Sequence, residues 1–156
     1  MTPAVTAARG AGVAFEILEY THDPAAEAYG VEAAEALHLD PAVVFKTLVA
    51  KLDGRTLAVG IVPVTARLDL KALASTLGAR KAEMAPPAEA ERATGYVLGG
   101  ISPLGQKRPL ATVLDASALL HETIYVSAGR RGMEIALAPD DLVRLIGALV
   151  AEIARS

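Results

Sequence analysis

Residues 46–62, KTLVAKLDGRTLAVGIV, place Asp53-Gly54 between two apolar runs that are rich in β-branched residues. An Asp-Gly pair favours the tight turn of a β-hairpin, because both central residues of that turn adopt positive φ angles. The stretch therefore predicts two antiparallel strands, residues 46–52 and 55–62, at the centre of the fold.

Four helical segments are predicted from their capping residues. Thr2 before Pro3 is an N-cap followed by a proline at the first helical position, and Asp69 is a second N-cap. Glycines suited to a left-handed C-cap end most of these segments. The segments run from Thr2-Pro3 to Gly10 or Gly12, from Asp40-Pro41 through Phe45, from Asp69 to Leu77 before Gly78, and from Pro86-Pro87 to Gly95.

Hydrophobic spacing predicts the remaining strands and the last helix. Short apolar runs indicate strands at residues 15–20, 96–98, 110–114, 123–126 and 133–137, with the last two joined as a hairpin across residues 127–132. Pro139-Asp140-Asp141 begins a helix in which apolar residues recur at i, i+3, i+4 and i+7, and this spacing predicts one buried stripe. The stripe consists of Leu142, Leu145, Ile146, Leu149, Val150 and Ile153.

Strands interleaved with four or five helices indicate an α+β fold built around a mixed, largely antiparallel β-sheet. A length of 156 residues suits a single domain over residues 1–156. Hydrophobic residues make up 53% of the chain and charged residues 21%, which argues against long disordered segments.

The composition also limits the chemistry. The chain has no cysteine, which excludes an enzyme thiol as nucleophile, a disulfide and a thiolate metal ligand. No apolar run reaches the roughly 20 residues that a membrane helix needs, and no signal-peptide pattern opens the sequence, so a cytoplasmic protein is expected.

Charge gives a mixed indication about nucleic acid. The formal net charge of -3 does not favour nucleic-acid binding. Basic pairs nevertheless recur at Arg80-Lys81, Lys107-Arg108 and Arg130-Arg131, and an overall average can hide a basic face.

Metal and nucleotide motifs are not recognisable. The three histidines, at positions 22, 38 and 121, are far apart and have no carboxylates at ligand spacing. The four glycines between Gly95 and Gly105 are interrupted by Ser102-Pro103 where a dinucleotide fingerprint requires a helix. We therefore expect no metal and no cofactor.

Lys46 is unusual because strand alternation places it on the same face as Leu48, Ala50 and Leu52. Two interpretations remain open. The lysine either extends from the first position of the strand into solvent, or it is a cation at the mouth of a pocket. In a pocket it would hold a phosphate, a ribose hydroxyl or a developing oxyanion.

Three other segments have similar alternatives. Residues 99–103, Gly-Gly-Ile-Ser-Pro, form either an ordinary tight turn or a loop whose bare N–H groups approach a substrate carbonyl. Residues 127–132 are most simply a hairpin turn that carries two solvated arginines. Tyr20 is most simply a strand end that enters a turn.

Five motifs along the chain form a recognisable set: Phe45-Lys46-Thr47-Leu48, Leu68-Asp69-Leu70-Lys71, Thr94-Gly95-Tyr96, Gly99-Gly100-Ile101-Ser102-Pro103-Leu104-Gly105-Gln106-Lys107 and Ile124-Tyr125-Val126-Ser127. Taken together, they resemble the YbaK-type deacylases, stand-alone relatives of the editing domain inserted in bacterial prolyl-tRNA synthetases. The resemblance covers essentially the whole chain. The ungapped block of residues 99–107 and the Tyr20-x-His22-Asp23-Pro24 segment favour the cysteine-specific type over the alanine-specific type.

The resemblance implies roles for individual residues. Lys46 would be the family's essential catalytic lysine and would bind the terminal adenosine or phosphate of the tRNA, with Thr47 beside it. The sequence departs from the family pattern at Ala128, where a second glycine is expected, and at Glu134 and Ala136, which stand where family members often carry an acidic pair. Glu134 therefore receives no role. The implied backbone donors to the ester carbonyl are Gly99, Gly100 and Ile101, and the implied pocket-lining residues are Tyr20, Ser127 and Gly129.

The same resemblance implies a barrel-like sheet surrounded by helices. It also implies a trans-editing hydrolase that acts on mischarged Cys-tRNA(Pro), with Cys-tRNA(Cys) as a second candidate substrate, and that works with prolyl-tRNA synthetase. The substrate's own thiol is the implied nucleophile. A pocket built for proline cannot strongly reject cysteine, so a second site is needed to remove the error. The alternatives are a deacylase for another mischarged tRNA, such as Ala-tRNA(Pro), and a non-catalytic module that binds tRNA or a synthetase.

Overall fold

A computed structural model describes residues 1–25 and 29–156 of the chain. Within these ranges the α+β prediction is confirmed, with five α-helices and ten short strands. The helices are α1 Pro3–Ala11, α2 Tyr29–Ala36, α3 Leu70–Thr76, α4 Pro87–Thr94 and α5 Pro139–Ile146. Short 3-10 turns lie at Pro41–Val43 and Ala116–Leu120.

The strands form a five-stranded, a three-stranded and a two-stranded sheet. Their orders are β5-β2-β3-β6-β9, β1-β8-β7 and β10-β4. The strands are β1 Phe15–Glu19, β2 Phe45–Leu52, β3 Thr56–Pro63, β4 Arg67–Leu68, β5 Ala82–Met84, β6 Ala111–Asp115, β7 Ile124–Arg130, β8 Met133–Leu137, β9 Leu149–Ala151 and β10 Ala154–Arg155.

The predicted central hairpin is confirmed as the pair β2–β3. Its register runs from Phe45 opposite Pro63 to Leu52 opposite Thr56. Asp53 and Gly54 have φ angles of 51° and 67°, and the N–H of Arg55 donates to the carbonyl of Leu52 at 2.9 Å, as a type I′ turn requires.

The five-stranded sheet is covered on both faces, because alternate side chains of its central strands enter different hydrophobic clusters. Val49 and Ile61 belong to the main core, which the sheet shares with β7, β8 and α1. Ala50 and Val62 belong to a second cluster on the other face, together with Leu73 of α3. Burial on both sides accounts for the nearly continuous apolar sequence of β3.

The expectation of a barrel-like sheet is not confirmed. The described strands close no sheet, and a single parallel bridge between Val44 and Tyr125 is what links the five-stranded sheet to the three-stranded one. No helix in the described ranges combines the length and the apolar character needed to cross a lipid bilayer.

The predicted apolar stripe of the last helix is wrong beyond Ile146. Gly147 adopts a φ of 65° and caps α5 in the left-handed conformation, so the helix ends there. Leu149, 52% exposed, then pairs with Val113 in a parallel strand at the edge of the sheet. Ile153 is buried, but in the second cluster rather than along the helix.

The strand predicted at residues 96–98 is also absent. Gly95 caps α4 with a φ of 81°, and the N–H of Leu98 donates to the Glu91 carboxylate at 2.8 Å. The backbone therefore turns back toward α4 and does not extend as a strand. The buried Tyr96 hydroxyl donates to the Leu104 carbonyl at 2.6 Å and holds this turn in place.

The end of the chain is held by Asp115, which is buried. Its Oδ1 accepts the N–H groups of both Ile153 and Ala154 at 2.9 Å, and its Oδ2 accepts the N–H of Ser117.

Asp115→Ala should therefore lower the free energy of unfolding by about 2–4 kcal/mol, because buried N–H groups lose a charged acceptor. Urea denaturation at neutral pH measures this. The exposed Asp140→Ala is the matched control, expected to change stability by less than about 1 kcal/mol. Equal losses in the two variants would contradict the assignment.

Candidate active site

A cavity of about 380 Å³ opens beside the first half of β2. This volume suits a small ligand rather than a macromolecular groove. Its lining is mostly apolar, with a few polar groups among the hydrophobic side chains. The lining residues are Tyr20, Gly30, Val31, Phe45, Lys46, Thr47, Leu48, Val64, Met84, Leu98, Gly99, Ile101, Ser127, Arg130, Arg131 and Glu134.

The cavity exists because one edge of β2 changes partner along its length. Along the other edge, β2 pairs with β3 throughout. On the cavity side, Val44 bridges to Tyr125 of β7, whereas pairing with β5 begins only where the Val49 carbonyl accepts the N–H of Ala85. Alternation of an antiparallel ladder directs the N–H and C=O of Thr47 toward this same edge, between the two partners.

Lys46 lies in the cavity wall and is partly buried. Burial lowers the pKa of its ammonium group, and the nearby Arg67 guanidinium lowers it further. It forms no ion pair within the described part of the chain. Lys46 thus lies beside a cavity and keeps part of its surface in contact with solvent, and its role there stays a prediction.

Thr47 supplies an unpartnered hydroxyl. Its Oγ1 is buried and has no hydrogen-bond partner among the described residues. Buried polar atoms in folded proteins are nearly always paired, so an exception in a cavity wall marks an atom available to a ligand.

Glu134 is a cavity residue to which sequence reasoning assigned no role. The side chain is 6% exposed, and burial raises the pKa of its carboxyl group to about 8. Sheet register explains its position, because Ser127 and Leu18 are its cross-strand neighbours on either side. The indication in the sequence was an acidic residue inside the apolar strand Met133–Leu137.

Tyr20 and Ser127 reach the cavity from the same sheet. Tyr20 follows the last residue of β1, and its N–H donates to the Gly132 carbonyl at 2.9 Å. Burial raises the pKa of the Tyr20 hydroxyl, and the neighbouring Glu134 contributes to that rise. Ser127 Oγ accepts the N–H of Gly129 at 3.1 Å, which orders the start of the irregular hairpin.

The glycine loop forms the opposite wall, where Gly99 and Ile101 line the cavity. Gly100 does not line it. A Cβ on Gly100 would stand 2.8 Å from the Cα of Arg130, so this glycine allows the loop to pack directly against β7. Gly129 is likewise outside the lining, and a Cβ there would stand 2.8 Å from the Tyr96 ring.

The two arginines of the last hairpin are not simply solvated turn residues. The register of β7 and β8 shifts between Ser127 and Arg130, and this bulge extends β7 to Arg130. Arg130 and Arg131 both line the cavity. The cavity therefore carries three cationic side chains, including Lys46, and one buried carboxyl group.

A chain of polar contacts holds α2 near the mouth. An Arg131 Nη1 lies 3.1 Å from His22 Nε2, and His22 Nδ1 lies 2.7 Å from Glu32 Oε1. Because a guanidinium can only donate, Nε2 accepts and Nδ1 carries the proton that is donated to Glu32. The adjacent residues of α2, Gly30 and Val31, line the cavity.

The described ranges contain no group of three or more His, Asp or Glu side chains placed to hold a metal ion. What the cavity does offer is hydrogen-bond donors and cations around a space of mixed polarity. Such groups can bind an ester and stabilise negative charge that develops on its carbonyl oxygen.

Comparison with known sequences identifies the family. The aminoacyl-tRNA editing domain family matches residues 22–145. An Enterococcus faecalis protein named "Putative Cys-tRNA(Pro)/Cys-tRNA(Cys) deacylase EbsC" is 41% identical over 120 residues, which are 77% of this chain and 73% of that protein.

Solved structures share the fold. A "putative trans-editing enzyme for prolyl tRNA synthetase" superposes with a TM-score of 0.82 at 25% identity, covering 100% of this chain and 99% of its own. A hypothetical protein, APE2540, gives a TM-score of 0.88 at 22% identity, covering 99% of this chain and 100% of that one. The domain match and the 41% identity together show that this chain belongs to the aminoacyl-tRNA editing domain family.

Proposed function

We propose that this aminoacyl-tRNA deacylase removes cysteine from mischarged tRNA(Pro), and that the cavity beside β2 is its active site. The observation that carries the proposal is the cavity itself, which joins a partly buried lysine, a glycine loop and a buried carboxyl group around an apolar wall. The name of the Enterococcus faecalis relative supports cysteine as the amino acid and adds Cys-tRNA(Cys) as a second substrate.

The aminoacyl group would bind along the apolar wall. Phe45, Leu48 and Ile101 offer a surface for the cysteine methylene. The buried Glu134 carboxyl group is suited to the α-ammonium group, because an approaching cation favours the carboxylate form and lowers its raised pKa. The free Thr47 hydroxyl and the N–H and C=O groups of Thr47 at the open strand edge are further polar contacts.

The ribose end of the substrate would lie toward Lys46. Its ammonium group is a compact point charge that can bind a phosphate or a ribose hydroxyl of the terminal adenosine. Backbone N–H groups of the loop at Gly99 and Ile101 would face the ester carbonyl oxygen. These donors are fixed before the reaction and thus stabilise the oxyanion without reorganisation.

The nucleophile in this proposal is the substrate's thiol. The chain has no cysteine, and Ser127 Oγ accepts a backbone N–H and has no histidine partner among the described residues. The substrate Sγ, as thiolate, attacks the ester carbonyl carbon, a four-membered thiolactone closes, and the bond to the ribose oxygen breaks as that oxygen takes up a proton. Water then opens the thiolactone to free cysteine. The protein contributes orientation and charge stabilisation.

Prolyl-tRNA synthetase is the proposed partner and the cytoplasm the proposed location. The name of the solved trans-editing structure supports the first proposal. A synthetase that holds the same tRNA would raise the local concentration of substrate, which a weakly binding editing enzyme needs.

The thiol mechanism predicts a large difference between cysteinyl-tRNA(Pro) and 2-aminobutyryl-tRNA(Pro), in which a methyl group replaces the thiol. Cysteinyl release should be faster by more than about 200-fold, because one small group in an apolar pocket accounts for at most about 1–3 kcal/mol through binding. Single-turnover release at saturating enzyme measures chemistry rather than affinity.

Seryl- and alanyl-tRNA(Pro) complete that series. Equal rates for cysteinyl and 2-aminobutyryl substrates would make the thiol dispensable. Rapid alanyl release with slow cysteinyl release would instead assign the chain to alanine editing, and no release from any substrate would favour a binding module.

Replacement of the cavity lysine should abolish activity without unfolding the protein. We expect Lys46→Ala to lower kcat/KM by about 100-fold or more, because a cation fixed at the ester is lost. Lys46→Arg should also lose most activity, since a planar guanidinium fills the cavity differently. Lys71→Ala, an exposed change in α3, is the control and should retain wild-type activity. Near wild-type turnover by Lys46→Ala would refute the site.

Glu134 predicts a specific pH dependence of stability. Its folded-state pKa of about 8 lies above the ordinary value of 4.5, so the folded state holds an extra proton between these two pH values. The free energy of unfolding should therefore fall as pH rises through this window, by up to about 1.4 kcal/mol per pH unit from this group. Glu134→Gln removes that slope.

Urea denaturation at pH 5, 6.5 and 8 tests this, with Glu16→Gln, an exposed change in β1, as control. Glu134→Gln should gain stability relative to wild type as pH rises, and the control should not. A difference that stays constant with pH would show that Glu134 is already ionised in the folded protein. The same Glu134→Gln variant should raise KM if the carboxylate holds the α-ammonium group.

A further inference from the structure

Five exposed cations gather at the end of the molecule that carries the turn of the β2–β3 hairpin. Two adjoining surface depressions share Arg55, Thr56 and Ala111 as common lining. We call the five cations around these depressions the basic face; they are Arg55, Arg80, Arg92, Lys107 and Arg108.

The carboxylates near the basic face are already occupied. Asp53 accepts the backbone N–H groups of Arg80 and Lys81 at 3.1 and 3.0 Å. Glu89 pairs with Lys51 at 2.8 Å, and Glu91 accepts the N–H of Leu98. None of the five cations of the basic face forms an ion pair with any residue in the described ranges. Although the whole chain has a net charge of -3, five cations against the two lining carboxylates, Asp53 and Glu89, give this surface an excess of positive charge.

The basic face is connected to the cavity through α4 and the glycine loop. The N–H of Lys107 donates to the Thr94 carbonyl at 2.9 Å, and the N–H of Arg108 donates to the Ala93 carbonyl at 3.0 Å. The loop that leaves α4 and returns at Lys107 is the one that carries Gly99 into the cavity wall. The two features thus lie on elements fixed to one another.

The separation between them is set by the length of the hairpin. Lys46 lies at one end of β2 and Leu52 lies next to the turn at the other, a span of roughly 20 Å at about 3.3 Å per residue. A nucleic-acid strand that rises about 3.4 Å per nucleotide crosses that span in about six nucleotides, and an extended strand needs fewer.

We propose that the basic face binds the phosphodiester backbone of the tRNA acceptor end, a few nucleotides before the terminal adenosine whose ester occupies the cavity. This proposal rests on the proposed function. Arginine guanidinium groups match phosphate oxygens in a bidentate geometry, and four of the five cations are arginines. Phosphate contacts orient a nucleic acid without reading its sequence, so the face selects an acceptor end and not a particular tRNA.

The test variant is Arg92→Gln/Lys107→Gln/Arg108→Gln, and its control is Arg9→Gln/Lys71→Gln/Arg155→Gln, which removes three exposed cations elsewhere. With Cys-tRNA(Pro), the test variant should raise KM about tenfold or more and leave kcat near wild type. Its binding to an uncharged acceptor-stem hairpin RNA should show a log K against log salt slope that is smaller by about 2–3 than that of wild type. The control should match wild type in both.

A small substrate separates this proposal from the proposed function. Cysteinyl-adenosine carries the ester but no upstream phosphates, so the test variant and wild type should hydrolyse it equally. Loss of activity on cysteinyl-adenosine would show that the substitutions damage the cavity and would overturn the proposal. If the control variant lost as much affinity for tRNA as the test variant, the effect would come from net charge alone, and this result would also overturn the proposal.

The hairpin RNA gives a result even where catalysis fails. If wild type released cysteine from neither substrate, the proposed function would be wrong, yet weaker RNA binding by the test variant alone would still support the basic face. Equal RNA binding by wild type and the test variant would refute it. If the test variant then lost affinity for prolyl-tRNA synthetase, the face would be a protein-docking surface instead.

Discussion

The divided edge of β2 is the constraint on which the rest of the site depends. The same edge of β2 cannot pair with β7 and β5 at the same residues. Pairing along this edge is therefore interrupted between the bridge to β7 at Val44 and the start of pairing with β5 at Ala50. The interruption opens space beside Lys46 and Thr47 and directs backbone groups into it. If one partner strand paired along this whole edge of β2, that strand would occupy the space that the cavity now fills.

The bulge in β7 and the short β5 are therefore parts of one arrangement. The bulge places Arg130 at the cavity, whereas other residues of β7 pack in the main hydrophobic core. Along β2, pairing with β5 begins only at Ala50, opposite Met84, so Met84 lies at the edge of the cavity. The glycine loop then closes the third side, held by the Tyr96 hydroxyl and packed against β7 at Gly100. The result is a mostly apolar cavity with a few hydrogen-bond donors and charges, which is compatible with the proposed reaction, whose nucleophile arrives with the substrate.

Local chemistry in the sequence was enough to predict the elements that end on strong capping or turn residues. Thr2 caps α1 and Asp53-Gly54 forms the hairpin turn, because their effects depend on a few neighbouring backbone groups. The last helix was predicted too long because periodic apolar residues continue past Gly147, and only pairing with β6 determines that Leu149–Ala151 form a strand. Helix α2 and strand β5 carry no comparable signals and were not predicted.

In the candidate site, too, the residues with strong local patterns were predicted, whereas those that depend on tertiary packing were not. Alternation along β2 identified Lys46, and the family motifs led to Tyr20, Thr47, Gly99, Ile101 and Ser127, all of which line one cavity. Gly100 and Gly129 share those motifs but pack against neighbouring elements instead. Glu134 was left unassigned because Ala136 interrupts the acidic pair that the family pattern leads one to expect there. Its burial between two strands is a property of the assembled sheet, which the sequence alone does not show.

The rim of the cavity differs from its floor in a way that matters for evolutionary change. Val31, Met84 and Leu98 line the opening yet are 37%, 48% and 44% exposed, so their replacement disturbs little of the hydrophobic core. Exchanges at these three positions can alter the size and polarity of the entrance at small cost in stability. Under the proposed function, such exchanges would change which mischarged amino acid fits the cavity while the central strands stay unchanged.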